Sequence, residues 1–233
     1  MCIRDSISAG RQVTQEGYVF DGETTVYGTI DSLRCGPRDS SFSRYQYPSS
    51  LPAAALARMA EITARVMKRI GYDGGPFNIE YFWDEASGAI RLLEINPRIS
   101  KSHAPLFRMV DGHYHHQVMI DLGLGREPRL EQRAGRYDLA AKFMVRQFHD
   151  AIVSRAPTSA ELAAVQTAVP DAQIQVAVHE GQQLSSLWDQ DSYSYEVATI
   201  FVGGENEAQL EQRFRDCLER LPLAFEPLES SPH

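Results

Sequence analysis

The sequence predicts an α+β fold: an antiparallel sheet with packed helices, followed by a small α+β accessory domain. Three observations carry this. Stretches rich in β-branched and aromatic residues are joined by hairpin turn signals, apolar residues recur elsewhere at helical spacing, and the two kinds of segment are mixed throughout the chain. With 233 residues, 43% of them apolar and 9% aromatic, there is enough material for a sizeable core.

Taken in order, residues 1–9 read as an abrupt start that need not be native, in which Met1 to Ser6 (MCIRDS) fits no pattern. Val13 to Phe20 and Thr24 to Leu33 read as strands, and Asp21-Gly22 between them is a hairpin turn, since glycine accepts the positive φ that tight turns need. Arg34 to Pro52 holds three prolines and five serines and reads as a long surface loop anchored by Phe42, Tyr45 and Tyr47. A helix follows from Pro52, with Leu56, Met59, Thr63, Val66 and Ile70 on one face and Gly71 as a left-handed end. Phe77 to Trp83 and Ala89 to Ile95 form a second hairpin around the polar turn Asp84 to Gly88. Asp111 then caps a helix to about Leu122, stopped by Gly123 and Gly125. This portion, residues 10–130, is one expected domain.

Residues 131–225 read as the accessory domain. It has a strand near Leu139 to Phe148, a helix from Thr158 with Glu161 completing a capping box, strands at Gln173 to Val178 and Tyr195 to Val202, and a helix from Asn206 to Leu221. Leu210, Phe214, Cys217, Leu218 and Leu221 share one face of that last helix, as in a helix laid on a sheet. The Pro- and Ser-containing tail, residues 226–233, is expected to fray.

Charge narrows the function. Lys and Arg number 23 against 31 Asp and Glu, a net charge of −8, the wrong sign for gripping a phosphate backbone, so nucleic acid is not an expected partner. Charged residues interrupt every apolar run well short of the roughly 18 residues a membrane span needs, and no basic-then-apolar leader opens the chain. Cys2, Cys35 and Cys217 are odd in number and lack metal-ligand spacing, as suits a reducing compartment. A cytoplasmic location is expected.

The second hairpin carries the chemistry. Asn78, Glu80 and Phe82 share one strand face; Leu92, Glu94 and Asn96 share one face of the next. If Glu80 pairs with Glu94, then Phe82 pairs with Leu92 and Asn78 with Asn96, whereas a slip of one residue would separate the sets. In the paired register the carboxylates lie roughly 5 Å apart and repel by about 3 kcal/mol at an effective dielectric near 20. Either one of them keeps its proton or a divalent cation sits between them. Asn96 favours the cation, because two carboxylates and an amide oxygen make an all-oxygen set suited to Mg²⁺ or Mn²⁺ with phosphate oxygens and water. Arg98 follows, where a guanidinium could neutralise a transferring phosphoryl group. The alternating Phe77, Ile79, Tyr81, Leu93 and Ile95 would face the core.

Phe77-Asn78-Ile79-Glu80-Tyr81 followed by Leu92-Leu93-Glu94-Ile95-Asn96-Pro97-Arg98 resembles the metal and nucleotide signature of the ATP-grasp superfamily. The resemblance covers roughly Gly10 to Arg129, as the carboxyl-terminal lobe of the grasp, and more faintly the accessory domain. It implies that Glu80, Glu94 and Asn96 bind the Mg²⁺ that bridges the phosphates of ATP, that Arg98 steadies the γ-phosphate and an acyl phosphate, and that Phe82 lies against the adenine. The implied reaction is ligation: a small carboxylate is activated by phosphorylation for attack by an amine or similar nucleophile. The lobe whose lysines grip the phosphates is not found, so the chain reads as a carboxyl-terminal fragment, expected on its own to bind ATP weakly and to be inactive.

Arg98-Ile99-Ser100-Lys101-Ser102-His103 is similar to the corresponding loop of biotin carboxylases, except that their glutamate before the histidine is here Ser102. A biotin-carboxylase-like carboxylase is therefore the alternative to an amine-accepting ligase, and a non-catalytic nucleotide-binding module is a further one. His113, His115 and His116 do not project together from a helix, and read as surface or interface histidines rather than a zinc site.

Overall fold

The first hairpin of the computed structural model, which describes residues 10–34, 41–188 and 194–228, joins β1 (Arg11–Phe20) to β2 (Glu23–Arg34). Asp21 and Gly22 turn the chain with φ of 51° and 79°, the double positive φ of the turn that matches strand twist. Pairing shifts by one residue between Glu16 and Gly17. A Cβ at position 17 would collide with the Phe77 ring and the Thr25 carbonyl, so glycine is required there.

The chain divides into two units, residues 1–33 with 45–140 and residues 34–44 with 141–233. In the first, β4 (Gly75–Trp83) and β5 (Ile90–Asn96) complete an antiparallel sheet in the order β5-β4-β1-β2. Helix α1 (Ala53–Ile70) ends at Gly71, φ 68°, as expected. It buries Ala55, Met59, Thr63 and Met67. The stripe thus runs along the four-residue spacing from Ala55, and Ile70, expected on it, is 56% exposed. Val13, Leu51, Met59, Met67, Phe77, Ile79 and Tyr81 form the core on this side of the sheet. Inside it, Thr63 Oγ1 donates to Gln15 Oε1 at 2.6 Å and lies 2.7 Å from the Tyr81 hydroxyl.

Two readings of this unit change. The stretch taken as a surface loop contains a strand, β3 (Phe42–Tyr47), whose Tyr47 is buried against Phe107 with ring centres 4.6 Å apart. Its serines and prolines hid the aromatic alternation that builds the strand. Asp111 ends a helix instead of starting one: α2 (Ala104–Asp111) closes at Gly112, φ 82°, and a separate α3 (His116–Gly123) follows. The Asp111 carboxylate is buried, accepting from the Tyr47 hydroxyl at 2.7 Å and the Arg133 N–H at 2.9 Å.

The second unit contains β6 (Leu139–Gln147), β7 (Ala151–Arg155), α4 (Ser159–Ala168), β8 (Gln173–Val176), β9 (Tyr195–Gly204), α5 (Glu207–Arg220) and β10 (Ala224–Pro227). Its strands run β6-β9-β8, with β7 and β10 paired separately. The capping box at Thr158 and Glu161 is present in full. Ala141, Phe143, Ala198, Ile200 and Val202 pack against Val165, Leu210 and Cys217 of the two helices and Leu221 just beyond α5, and Phe143 stacks on Phe214 at 4.0 Å. β7 was not expected, and β10 runs from the end of the expected accessory domain into sequence read as fraying, because each is too short to show a period of its own. The abrupt start, Cys2 and Cys35 lie outside the described residues, as does the tail beyond residue 228. Among the described residues no helix is long and apolar enough to cross a membrane.

Candidate functional site

Strand pairing assembles the site on the sheet face of the first unit opposite α1. Gln12 pairs with Phe82, Thr14 with Glu80 and Glu16 with Asn78 across β1 and β4. Asn78 pairs with Asn96 and Glu80 with Glu94 across β4 and β5. Paired residues project to the same face, so Glu80, Glu94 and Asn96 lie together in one polar field. Beyond Glu80 the ladder shifts by one residue, setting Tyr81 against Leu92 and Phe82 against Arg91. The expected pairing of Phe82 with Leu92 is therefore corrected: a bulge intervenes, a feature invisible to alternation counting. β5 lies at the edge of the strand order, and Leu92 and Leu93 are 38% and 42% exposed, so Leu93 is not a core residue.

Glu80 is half-buried and accepts a 2.8 Å hydrogen bond from Gln12 Nε2. Burial raises its carboxyl pKa above the ordinary value; the Gln12 bond opposes this, the Glu94 charge adds to it, and His103 and Arg98 pull the other way. Glu94 is exposed. Asn96, half-buried, points Nδ2 at Asn78 Oδ1 (3.5 Å) and receives Arg98 Nη2 on Oδ1 at 3.4 Å. Arg98 also donates to the Ile99 carbonyl at 3.3 Å. Phe82 is half-buried on the same face.

A residue that sequence reading missed lies beneath this field. Glu16 is fully buried, and its Oε1 accepts from Asn78 Nδ2 at 2.8 Å and the Ser100 N–H at 3.2 Å, and lies 2.8 Å from His103 Nδ1. It thereby ties down the turn Lys101–His103 that follows Arg98. The available signal was Gln12, Thr14 and Glu16 recurring every second residue in β1, a polar row where one face of a buried strand should be apolar. His115, expected at the surface or an interface, is also fully buried, with Nδ1 3.3 Å from the Tyr27 hydroxyl and its ring stacked on Phe107 at 4.9 Å. Burial chiefly, with the neighbouring His103 and His116 charges, lowers its pKa to about 3.

Among the described residues, no three His, Cys, Asp or Glu side chains converge as a metal cage. The donors at hand are two carboxylates and one amide oxygen. Such a partial oxygen set fits Mg²⁺, which keeps waters or phosphate oxygens for its remaining positions, better than a metal that demands a protein cage.

Residues 47–130 match the family model described as carbamoyl-phosphate synthase L chain, ATP binding domain. Biotin carboxylase from Campylobacter jejuni, solved as a β,γ-ATP complex, superposes with TM-score 0.66 at 13% identity over 94% of this chain and 47% of its own. The biotin carboxylase domain of Hydrogenobacter thermophilus 2-oxoglutarate carboxylase, solved with MgADP, ADP and bicarbonate, gives 0.63 at 17% over 93% and 46%. Phosphoribosylglycinamide synthetase from Anaerococcus prevotii gives 0.67 at 10% over 93% and 54%. The chain thus spans about half the length of each. No curated protein sequence matches it.

Proposed function

We propose, for a chain that belongs to the ATP-grasp superfamily, that it supplies the cation- and phosphate-binding face of an ATP-dependent ligase that activates a small carboxylate for attack by an amine or similar nucleophile. The observation that carries this reading is the pairing of Glu80 with Glu94 on one sheet face, beside Asn96 and Arg98. Glu80, Glu94 and Asn96 would hold Mg²⁺ or Mn²⁺. When bound, the cation supplies neutralisation of phosphate charge and alignment for in-line transfer.

The chain's own residues do the remaining work. Gln12 holds the Glu80 carboxylate in place through its 2.8 Å bond. Arg98 offers a permanently charged fork to phosphoryl oxygens, and its contact with Asn96 keeps that fork next to the ligand set. Phe82, on the Glu80 face, offers an apolar surface to the adenine of ATP. Glu16 anchors Ser100 and His103, which fixes the start of the loop where the carboxylate substrate would lie.

A biotin-carboxylase-like carboxylase is the second reading, favoured by the fold shared with two biotin carboxylases. Ser102, where those enzymes carry their glutamate base, favours the ligase. ADP release by an enzyme carrying this chain separates the two. Release that depends on an amine together with a carboxylate supports the ligase, release that depends on bicarbonate and biotin supports the carboxylase, and release with neither pair rejects both.

A further inference from the structure

A cation site built partly from an asparagine works only if the amide presents its oxygen. Oxygen and nitrogen ends of an amide have nearly the same shape, so the orientation of Asn96 is set by what its two ends can bond. Asn96 Nδ2 faces Asn78 Oδ1 at 3.5 Å, and Asn78 turns that oxygen outward because its own Nδ2 donates to Glu16 Oε1 at 2.8 Å. Asn78 and Glu16 are both buried, so water is not an alternative partner for either. An ionised carboxylate accepts and does not donate. The donors around Glu16 agree: the Ser100 N–H approaches both oxygens, at 3.2 and 3.4 Å, and can only donate.

We propose that Glu16 is a positioning residue of the cation site, acting through Asn78: it fixes the direction of the Asn78 amide, and Asn78 at Nδ2, with the Arg98 guanidinium at Oδ1, fixes Asn96 so that a lone pair of its carbonyl oxygen faces the cation. The inference rests on the reading of Glu80, Glu94 and Asn96 as ligands. Without an acceptor-only group at position 16, the Asn78 amide can turn over. Asn96 then follows, presenting two N–H donors where a cation needs an oxygen. Outer partners of metal ligands that act in this way typically change metal affinity by about 10- to 100-fold.

The test titrates Mn²⁺ alone into the 233-residue chain, reading free Mn²⁺ by electron paramagnetic resonance and the unfolding temperature of each variant alongside. Glu16→Gln keeps the size of the side chain but makes position 16 a donor as well as an acceptor, so that it can pair with either end of the Asn78 amide; it is expected to weaken Mn²⁺ binding about 10-fold with the unfolding temperature held. Asn78→Val removes the relay and is expected to weaken binding equally. The double variant should bind no worse than Asn78→Val alone, since both changes break one chain of bonds. Wild-type affinity in Glu16→Gln, or losses that add in the double variant, would overturn the proposal; if Asn78→Val does not fold, Glu16→Gln decides it. Glu94→Gln separates the two levels of inference. If it abolishes Mn²⁺ binding while Glu16→Gln does not change it, only the relay fails; if Glu94→Gln also binds as wild type, the ligand set fails and the relay with it.

Discussion

In the second unit, opposite charges on the sheet are matched: Glu196 on β9 lies 3.7 Å from Lys142 and 3.1 Å from Arg146 on β6. In the first unit, Glu80 and Glu94 face each other across β4 and β5, and among the described residues no lysine or arginine is ion-paired with either. Both arrangements put charge on an antiparallel ladder. One neutralises it internally; the other leaves like charges adjacent, and the Glu94 charge adds to the burial that raises the Glu80 pKa. A cluster that satisfies itself reads as scaffold, whereas adjacent like charges without an ion-pair partner are what the proposed cation would complete.

The contrast is sharpest in activity. Glu80→Gln and Glu94→Gln, made in an enzyme carrying this chain, should each cut ATP turnover by more than about 100-fold. Circular dichroism and urea unfolding should stay at wild-type values, since removing one of two repelling charges does not cost stability. Turnover within a few-fold of wild type would erase the distinction drawn between the two clusters.

A change in the second unit should do the opposite. Leu210 is fully buried between α5 and the sheet, so Leu210→Ala should cost about 2–5 kcal/mol in urea denaturation. Mn²⁺ affinity, which the proposed ligands place in the first unit, should be unchanged below the unfolding transition.

A smaller effect comes from the buried imidazole of His115, whose pKa lies near 3 in the fold against an ordinary 6.5. Between those values the unfolded chain takes up a proton that the folded chain refuses. Its contribution to stability is therefore complete above pH 6.5 and is lost as pH falls from 6.5 toward 3. His115→Gln should flatten the fall in the urea midpoint between pH 6.5 and pH 4. A parallel slope in variant and wild type would show that this histidine is not what acid attacks.

The β4–β5 site was legible because its information is local. Alternation put Glu80 on one face of its strand and Glu94 on one face of the next, and their pairing stood as one of two registers; counting outward from Asp84–Gly88 sets Glu80 against Leu92, and it is the register shift beyond Glu80 that brings Glu94 opposite it. That bulge was not legible, since an extra residue leaves no mark on the alternation of Leu92 and Leu93. Glu16 escaped because its partners, Asn78, Ser100 and His103, are more than 60 residues away, joined to it only through the β1–β4 pairing and the loop after β5. Asp111 misled because aspartate favours a helix N-cap, whereas here Gly112 closes the helix behind it and buried bonds from Tyr47 and Arg133 hold the carboxylate at the C-terminal end. β10 was missed for a related reason: four residues of strand acquire their meaning only from β7.

Crystals of the chain soaked with MnCl₂ and ADP, with diffraction recorded at the manganese edge, address the central claim most directly. The anomalous peak should lie between the carboxylates of Glu80 and Glu94 and within bonding distance of Asn96 Oδ1. Manganese bound elsewhere, with these two carboxylates bonded only to water or to protein, would contradict the assignment of this face as the cation site.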